Sequence, residues 1–147
     1  MPTSPDRDLD AIVERALMRL AEACPPLLRS DAARRKFAKL AMASDFAIDT
    51  LCRQPGVAER LDGEPSPLAL DAADDNQWPA VIRRWRAAQS TRLVWRDVHG
   101  LDTVEATLAG STRIAEQALQ SALAALDGQF SQRHGRVLGK LSVERGQ

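Results

Sequence analysis

Asn76 to Val98 reads NQWPAVIRRWRAAQSTRLVWRDV, and Asp102 to His134 reads DTVEATLAGSTRIAEQALQSALAALDGQFSQRH. These two runs decide the fold. Each is longer than a strand, and each repeats its apolar residues at helical rather than alternating spacing. His99-Gly100-Leu101 separates them, with Gly100 where a helix end wants a left-handed residue. The first helix is therefore expected over about 76–98. The second is expected to start at Asp102 or Thr103 and to run to about His134. Its expected seam is Val104, Leu108, Ser111, Ala115, Ala118, Ala122 and Leu126, with Gly110 as a candidate kink.

Upstream, the same period continues. Ser4 is the expected N-cap of a first helix, with Pro5 at its first position and Asp6 and Asp8 in its first turn. Leu9, Ile12, Val13, Ala16, Leu17 and Leu20 share one face of it. Cys24-Pro25-Pro26 ends it, because proline lacks an N–H and clashes with the preceding turn. Ser30 is the expected start of a second helix, with Ala33, Phe37, Leu40 and Ala41 as its stripe. Ser44-Asp45 reads as a fresh cap that breaks the chain direction, and Pro55 opens one more turn through Leu61. Gly63 to Asp75 is the expected loop and candidate hinge, with Leu68 and Leu70 as pins. No strand pair and no internal repeat is present. The expected fold is all-α: an antiparallel bundle of four to six helices. It forms one domain over 1–134, with a flexible tail over 135–147.

Composition narrows the function classes. The chain has 147 residues, enough for a core without disulfides or metal. Lys plus Arg and Asp plus Glu are both 20, so neither nucleic acid nor an anionic membrane is the expected partner. No apolar run approaches the roughly 18 residues of a spanning helix, and the acidic N-terminus carries no signal pattern. Cys24 and Cys52 are expected to be reduced, mostly buried thiols in a cytoplasmic protein.

The candidates for chemistry are thin. Asp6, Asp8 and Asp10 resemble a magnesium pair in spacing but open a helix, where acids complement the dipole. Asp71, Asp74 and Asp75 precede a helix and read as caps and solvated charge. His99 and His134 stand alone at helix ends, without a Cys or carboxylate at ligand spacing. No catalytic, cofactor-binding or metal-binding residue is assigned. Trp78, Val81, Ile82, Trp85 and Gln89 share one helix face, and its continuation lands on Arg92 and Arg96. Arginine keeps its proton, so both must find acceptors. Asp45 and Asp49 are the expected partners, with Glu105 behind them, in a buried ion-pair network that fixes helix register. The rival readings are a contact to a phosphate or a partner helix, and two snorkelling side chains.

Three segments then point to a family. Ser44-Asp45-Phe46-Ala47-Ile48-Asp49-Thr50-Leu51-Cys52-Arg53-Gln54-Pro55 is the first. Ile82-Arg83-Arg84-Trp85-Arg86 with Arg92-Leu93-Val94-Trp95-Arg96-Asp97-Val98 is the second. Leu101-Asp102-Thr103-Val104-Glu105-Ala106-Thr107-Leu108 is the third. In this order and spacing they resemble the bacterial bifunctional glutamine synthetase adenylyltransferase and adenylyl-removing enzymes, over about residues 30 to 135. Ser90 and Thr91 depart from the pattern, standing where the family has larger apolar residues. The resemblance implies the N-terminal helical part of the adenylyl-removing half, a scaffold and docking wall in nitrogen regulation. The nucleotidyltransferase core that follows in the family carries a Gly-Ser-Asp-x-Asp metal motif, which has no counterpart in these residues. It implies ATP and Mg²⁺ for the parent enzyme, with glutamine synthetase and a P-II protein as its partners, and no activity for this chain alone. The rival from another class is a free-standing helical interaction module without nucleotide chemistry.

Overall fold

The structure is a computed structural model and describes residues 5–135. The Ser4 cap and the tail beyond Gly135 lie outside the described residues. Five α-helices follow one another: α1 (Pro5–Ala23), α2 (Asp31–Ala43), α3 (Asp45–Arg53), α4 (Trp78–Val98) and α5 (Val104–His134). Short 3₁₀ turns at Pro25–Leu28, Pro55–Arg60 and Asp75–Gln77 join them, and the described residues form no strand.

The sequence signals act where the chain turns. Ser30 caps α2 by accepting from the Ala33 amide at 3.1 Å. Ser44 closes one helix and opens the next: its amide donates to the Leu40 carbonyl at 2.9 Å, and its hydroxyl accepts from Ala47 at 3.1 Å. With extended dihedrals at this one residue, α2 and α3 diverge without a loop. Thr103 caps α5 in the same way, through the Ala106 amide. Gly100 takes φ +64°, the left-handed turn that ends α4.

One core gathers α1, α2 and α3. Leu17 and Leu20 from α1, Phe37 and Leu40 from α2, and Ile48 and Leu51 from α3 are buried together, with Leu61 and Trp95 closing the cluster. Leu9 and Ile12, expected on the same face of α1, lie outside this cluster and are exposed. Trp95 reaches the core from α4, its ring centroid 5.0 Å from that of Phe37. Cys24 and Cys52 are free thiols and half-buried. Burial raises the Cys52 thiol above its ordinary value, against a smaller pull downward from Arg19.

α4 and α5 form an antiparallel hairpin. At the far end the Gln129 carboxamide donates to the Asp75 carboxylate at 2.6 Å, and at the near end Arg96 meets Asp102. The face α5 turns to α4 differs from the expected seam. Gly110 is its buried residue, and a Cβ built there would sit 2.7 Å from Leu93 Cδ2. Gly110 therefore permits close approach, and the helix runs unbroken through it. Val104, Leu108 and Leu126 of the expected seam are exposed instead. Close packing at Gly110 leaves room for Ile114 on the inner face, while Val104, Leu108, Leu119, Leu123, Leu126 and Phe130 turn outward. The expected single stripe on α4 fails for a related reason. Beyond Gln89 this helix has neighbours on two sides, so Thr91 and Trp95 are buried as well as Trp78, Trp85 and Gln89.

Candidate functional site

α4 positions most of the polar chemistry in the described residues. Its side chains hold the connecting segment 61–74 as a string of hydrogen bonds. Trp78 Nε1 donates to the Asp71 carbonyl at 2.6 Å, and Trp85 Nε1 donates to the Ser66 carbonyl at 2.8 Å. Trp95 Nε1 donates to the Asp62 carboxylate at 2.8 Å. Arg92 Nε donates to the Gly63 carbonyl at 2.6 Å, and an Arg96 amino group donates to the Asp62 carbonyl at 3.0 Å. Leu68 and Leu70 are only partly covered, so the indoles and guanidinium groups of α4 are the main pins. A buried indole needs a partner for its N–H, and carbonyls of an irregular segment need donors. Each need meets the other here.

The Arg96 pairing corrects the sequence expectation. Its Nε and one amino group each bond an oxygen of Asp102 at 2.8 Å, a two-pronged contact. The two side chains are 20% and 18% exposed, the least exposed ion pair among the described residues. The hydrogen bond to Asp102 raises Arg96 above its ordinary value, and the same bond holds the Asp102 carboxyl below its usual range. Asp45 and Asp49 are not its partners. They clamp Arg19 of α1, at 2.5 and 2.7 Å, and tie α1 to the start of α3. Glu105 is exposed in the first turn of α5, apart from both pairs. The physical reason is local. Asp102 lies six residues after Arg96, across the turn that Gly100 makes, whereas Asp45 and Asp49 are taken up by Arg19 of α1. A carboxylate just beyond a helix end was the available signal for this pair.

Arg92 differs from its neighbour. Its described polar partner is a carbonyl, and burial, then the nearby Arg96, push its guanidinium below the ordinary value. His99 turns back on its own helix, its Nδ1 2.7 Å from the Trp95 carbonyl and its ring tilted against Trp95 with centroids 4.1 Å apart. Its Nε2 is buried without a described partner. His134 packs on Phe130, at 4.7 Å between ring centroids, far along α5. No nucleophile–base geometry arises from these groups. Among the described residues, no group of three or more His, Cys, Asp or Glu could hold a metal ion. No described helix is long and apolar enough to cross a membrane.

The outer face of α5 is the second feature. Leu119, Leu123, Leu126 and Phe130 follow one another at helical spacing, and each is more than half exposed, from 53% to 62%. At about 100° per residue they share a sector with Val104 and Leu108, about 100° wide in all. This sector faces away from α4.

Comparison with known proteins gives the family. The chain is 51% identical over 136 residues to a bifunctional glutamine synthetase adenylyltransferase/adenylyl-removing enzyme of Xanthomonas oryzae pv. oryzae, covering 88% of this chain and 14% of that protein. A protein of the same name from Stenotrophomonas maltophilia is 48% identical over 134 residues, covering 88% of this chain and 14% of its own length. One from Shewanella loihica is 29% identical over 143 residues, covering 87% and 15%. No family model and no solved structure matches. The chain thus spans about 14% of the length of the curated relatives it matches, and within that span it belongs to the family of bifunctional glutamine synthetase adenylyltransferase/adenylyl-removing enzymes.

Proposed function

We propose that this helical chain is one domain that serves as scaffold and docking wall within a glutamine synthetase adenylyltransferase, with the outer face of α5 as the wall. The carrying observation is the exposed row Leu119, Leu123, Leu126 and Phe130 on a helix whose other side is packed. Scattered exposed apolar residues are ordinary, but a row along one helix face marks an interface. The occupant is the remainder of the family enzyme, because relatives are about seven times longer than the matched segment, which covers 14% of them.

In this reading the parent acts on glutamine synthetase by adenylyl transfer and removal, with ATP, Mg²⁺ and a P-II signalling protein as its associates. On the same reading the metal and nucleotide are held by the remainder of the parent enzyme. What this chain supplies is rigidity. The Arg96–Asp102 contact and Gly110 lock α5 onto α4, so the outer row is presented at a fixed angle.

The test mixes this chain with the remaining portion of the Xanthomonas oryzae relative. Association is expected, and Leu123→Glu and Phe130→Glu are each expected to abolish it without lowering the melting temperature. Incubated alone with glutamine synthetase, labelled ATP and Mg²⁺, the chain is expected to transfer no label. Unchanged association in both variants, or metal-dependent transfer by the isolated chain, would overturn the reading.

A further inference from the structure

A cavity of about 320 Å³ lies between α4, α5 and the segment around Glu64 and Pro65. It is separate from the outer row of α5. Its wall holds three arginines, Arg92, Arg96 and Arg113, against two acids, Glu64 and Asp102. Arg96 and Asp102 satisfy each other in their two-pronged contact. That leaves Arg92 and Arg113 facing the space, with Glu64, an exposed residue, as the remaining acid. Neither Arg92 nor Arg113 has a carboxylate partner within ion-pair distance among the described residues.

The polar groups around them are also unspent. Arg92 uses its Nε on the Gly63 carbonyl, which leaves the two terminal amino groups without a described partner. Gln89 is only 6% exposed, lines the same cavity, and forms no side-chain hydrogen bond among the described residues. The Gln89 carboxamide is therefore free to bond whatever enters the cavity, and like charges gathered around a partly desolvated space cost free energy. One occupant relieves that repulsion and uses the carboxamide, a group that is negative and accepts hydrogen bonds in a plane or a tetrahedron. Guanidinium groups suit that recognition. Trp85, Leu93 and Ile114 supply apolar wall, as small-molecule pockets usually do.

We propose that this cavity binds a small oxyanion, a phosphate or carboxylate group, held by Arg92, Arg113 and Gln89. The burial and like-charge repulsion that depress Arg92 are consistent with a cation awaiting an anion. The proposal rests on the α4–α5 geometry and is independent of what docks on the outer row.

Phosphate and carboxylate sources are separated by probe. The chain is titrated with inorganic phosphate and, in a second series, with succinate, at ionic strength held constant with chloride. Tryptophan fluorescence reports binding, because Trp85 lines the cavity, and the melting temperature is read in parallel. Saturable binding and a rise in melting temperature are expected with at least one probe; phosphate alone, succinate alone or both assigns the source. Arg92→Gln and Arg113→Glu are each expected to weaken binding roughly tenfold or more, the worth of a charge-assisted contact. Arg113 is exposed, so its variant retains the fold even if loss of the Gly63 contact disturbs Arg92→Gln. Arg86→Gln, on the exposed side of α4, is expected to bind as wild type. Absence of saturation with both probes, or equal affinity in Arg113→Glu and wild type, overturns the proposal.

Discussion

The layer of α1, α2 and α3 and the hairpin of α4 and α5 are both helical, yet they are held together differently. The first layer buries large aliphatic side chains from three helices against one another: Leu17, Leu20, Leu40, Ile48 and Leu51 are at most 1% exposed. The hairpin has Gly110 as the buried residue of its long second helix, and is fastened by Arg96–Asp102 at one end and Gln129–Asp75 at the other. Apolar burial scales with area removed from water, whereas a polar contact mainly fixes geometry. The contrast teaches that stability resides in the first layer and orientation in the second. α5 can leave a row of leucines uncovered because the fold does not draw on them.

The sharpest break of that contrast is a pair of equal truncations. Leu40→Ala removes a fully buried side chain and is expected to cost about 2–5 kcal/mol. Leu123→Ala removes the same atoms from a residue 57% exposed and is expected to stay within about 0.5 kcal/mol of wild type. Urea denaturation followed by far-ultraviolet circular dichroism measures both. Similar midpoints for the two variants would show that α5 shares the stability of the core.

How far each region can be read from sequence follows the same division. In the first layer every helix has one buried face, so the spacing of Phe37, Leu40 and Ala41 leads directly to the core, and Ser30 and Ser44 mark their caps. The hairpin resists that reading because most large apolar residues on α5 mark its outer face, and Gly110 its closest approach to α4. Periodicity finds the larger residues and turns the helix by about a quarter turn. Arg96 is legible as a residue in need of an acid, but helix-face spacing points across the bundle to Asp45 and Asp49, whereas the acid stands six positions along the chain. Gln89 carries no signal in sequence as a cavity residue, since only the three-dimensional packing places it beside Arg92 and Arg113.

The fastening of the hairpin is tested at Arg96. Arg96→Ala is expected to lower the melting temperature by several degrees at neutral pH, while Arg86→Ala, exposed on the same helix, leaves it unchanged. The pH dependence separates the ion pair from packing. Asp102 has its folded value depressed below its ordinary 3.8 by the hydrogen bond from Arg96. A depressed acid contributes stability that is complete above its unfolded value and disappears as pH falls through its folded value. The gap between wild type and Arg96→Ala is therefore expected to be constant around neutrality and to narrow below about pH 4. The bond from Arg96 to the Asp62 carbonyl does not titrate, so a residual gap remains. A gap independent of pH down to that range would mean that the pair contributes only through packing.

A change of opposite sign is expected where the two regions meet, at Thr91. Its side chain is fully buried, and its hydroxyl has no described hydrogen-bond partner. Two other helical threonines turn the hydroxyl back to the carbonyl four residues earlier: Thr50 to Phe46 at 2.9 Å, and Thr112 to Leu108 at 3.2 Å. Thr91 forgoes that bond while packed on all sides between the core layer and the hairpin. A buried hydroxyl without a partner carries its desolvation cost uncompensated, so replacing it with a methyl of similar size removes a penalty. Thr91→Val is expected to raise stability by about 1 kcal/mol. Thr50→Val, which gives up a formed hydrogen bond at a site 4% exposed, is expected to lower it by about the same amount. Opposite signs from the same chemical change, measured by thermal melts of the two variants, would place the unsatisfied group at the junction. If both variants lose stability, the Thr91 hydroxyl has a partner in solution and the two regions meet without that strain.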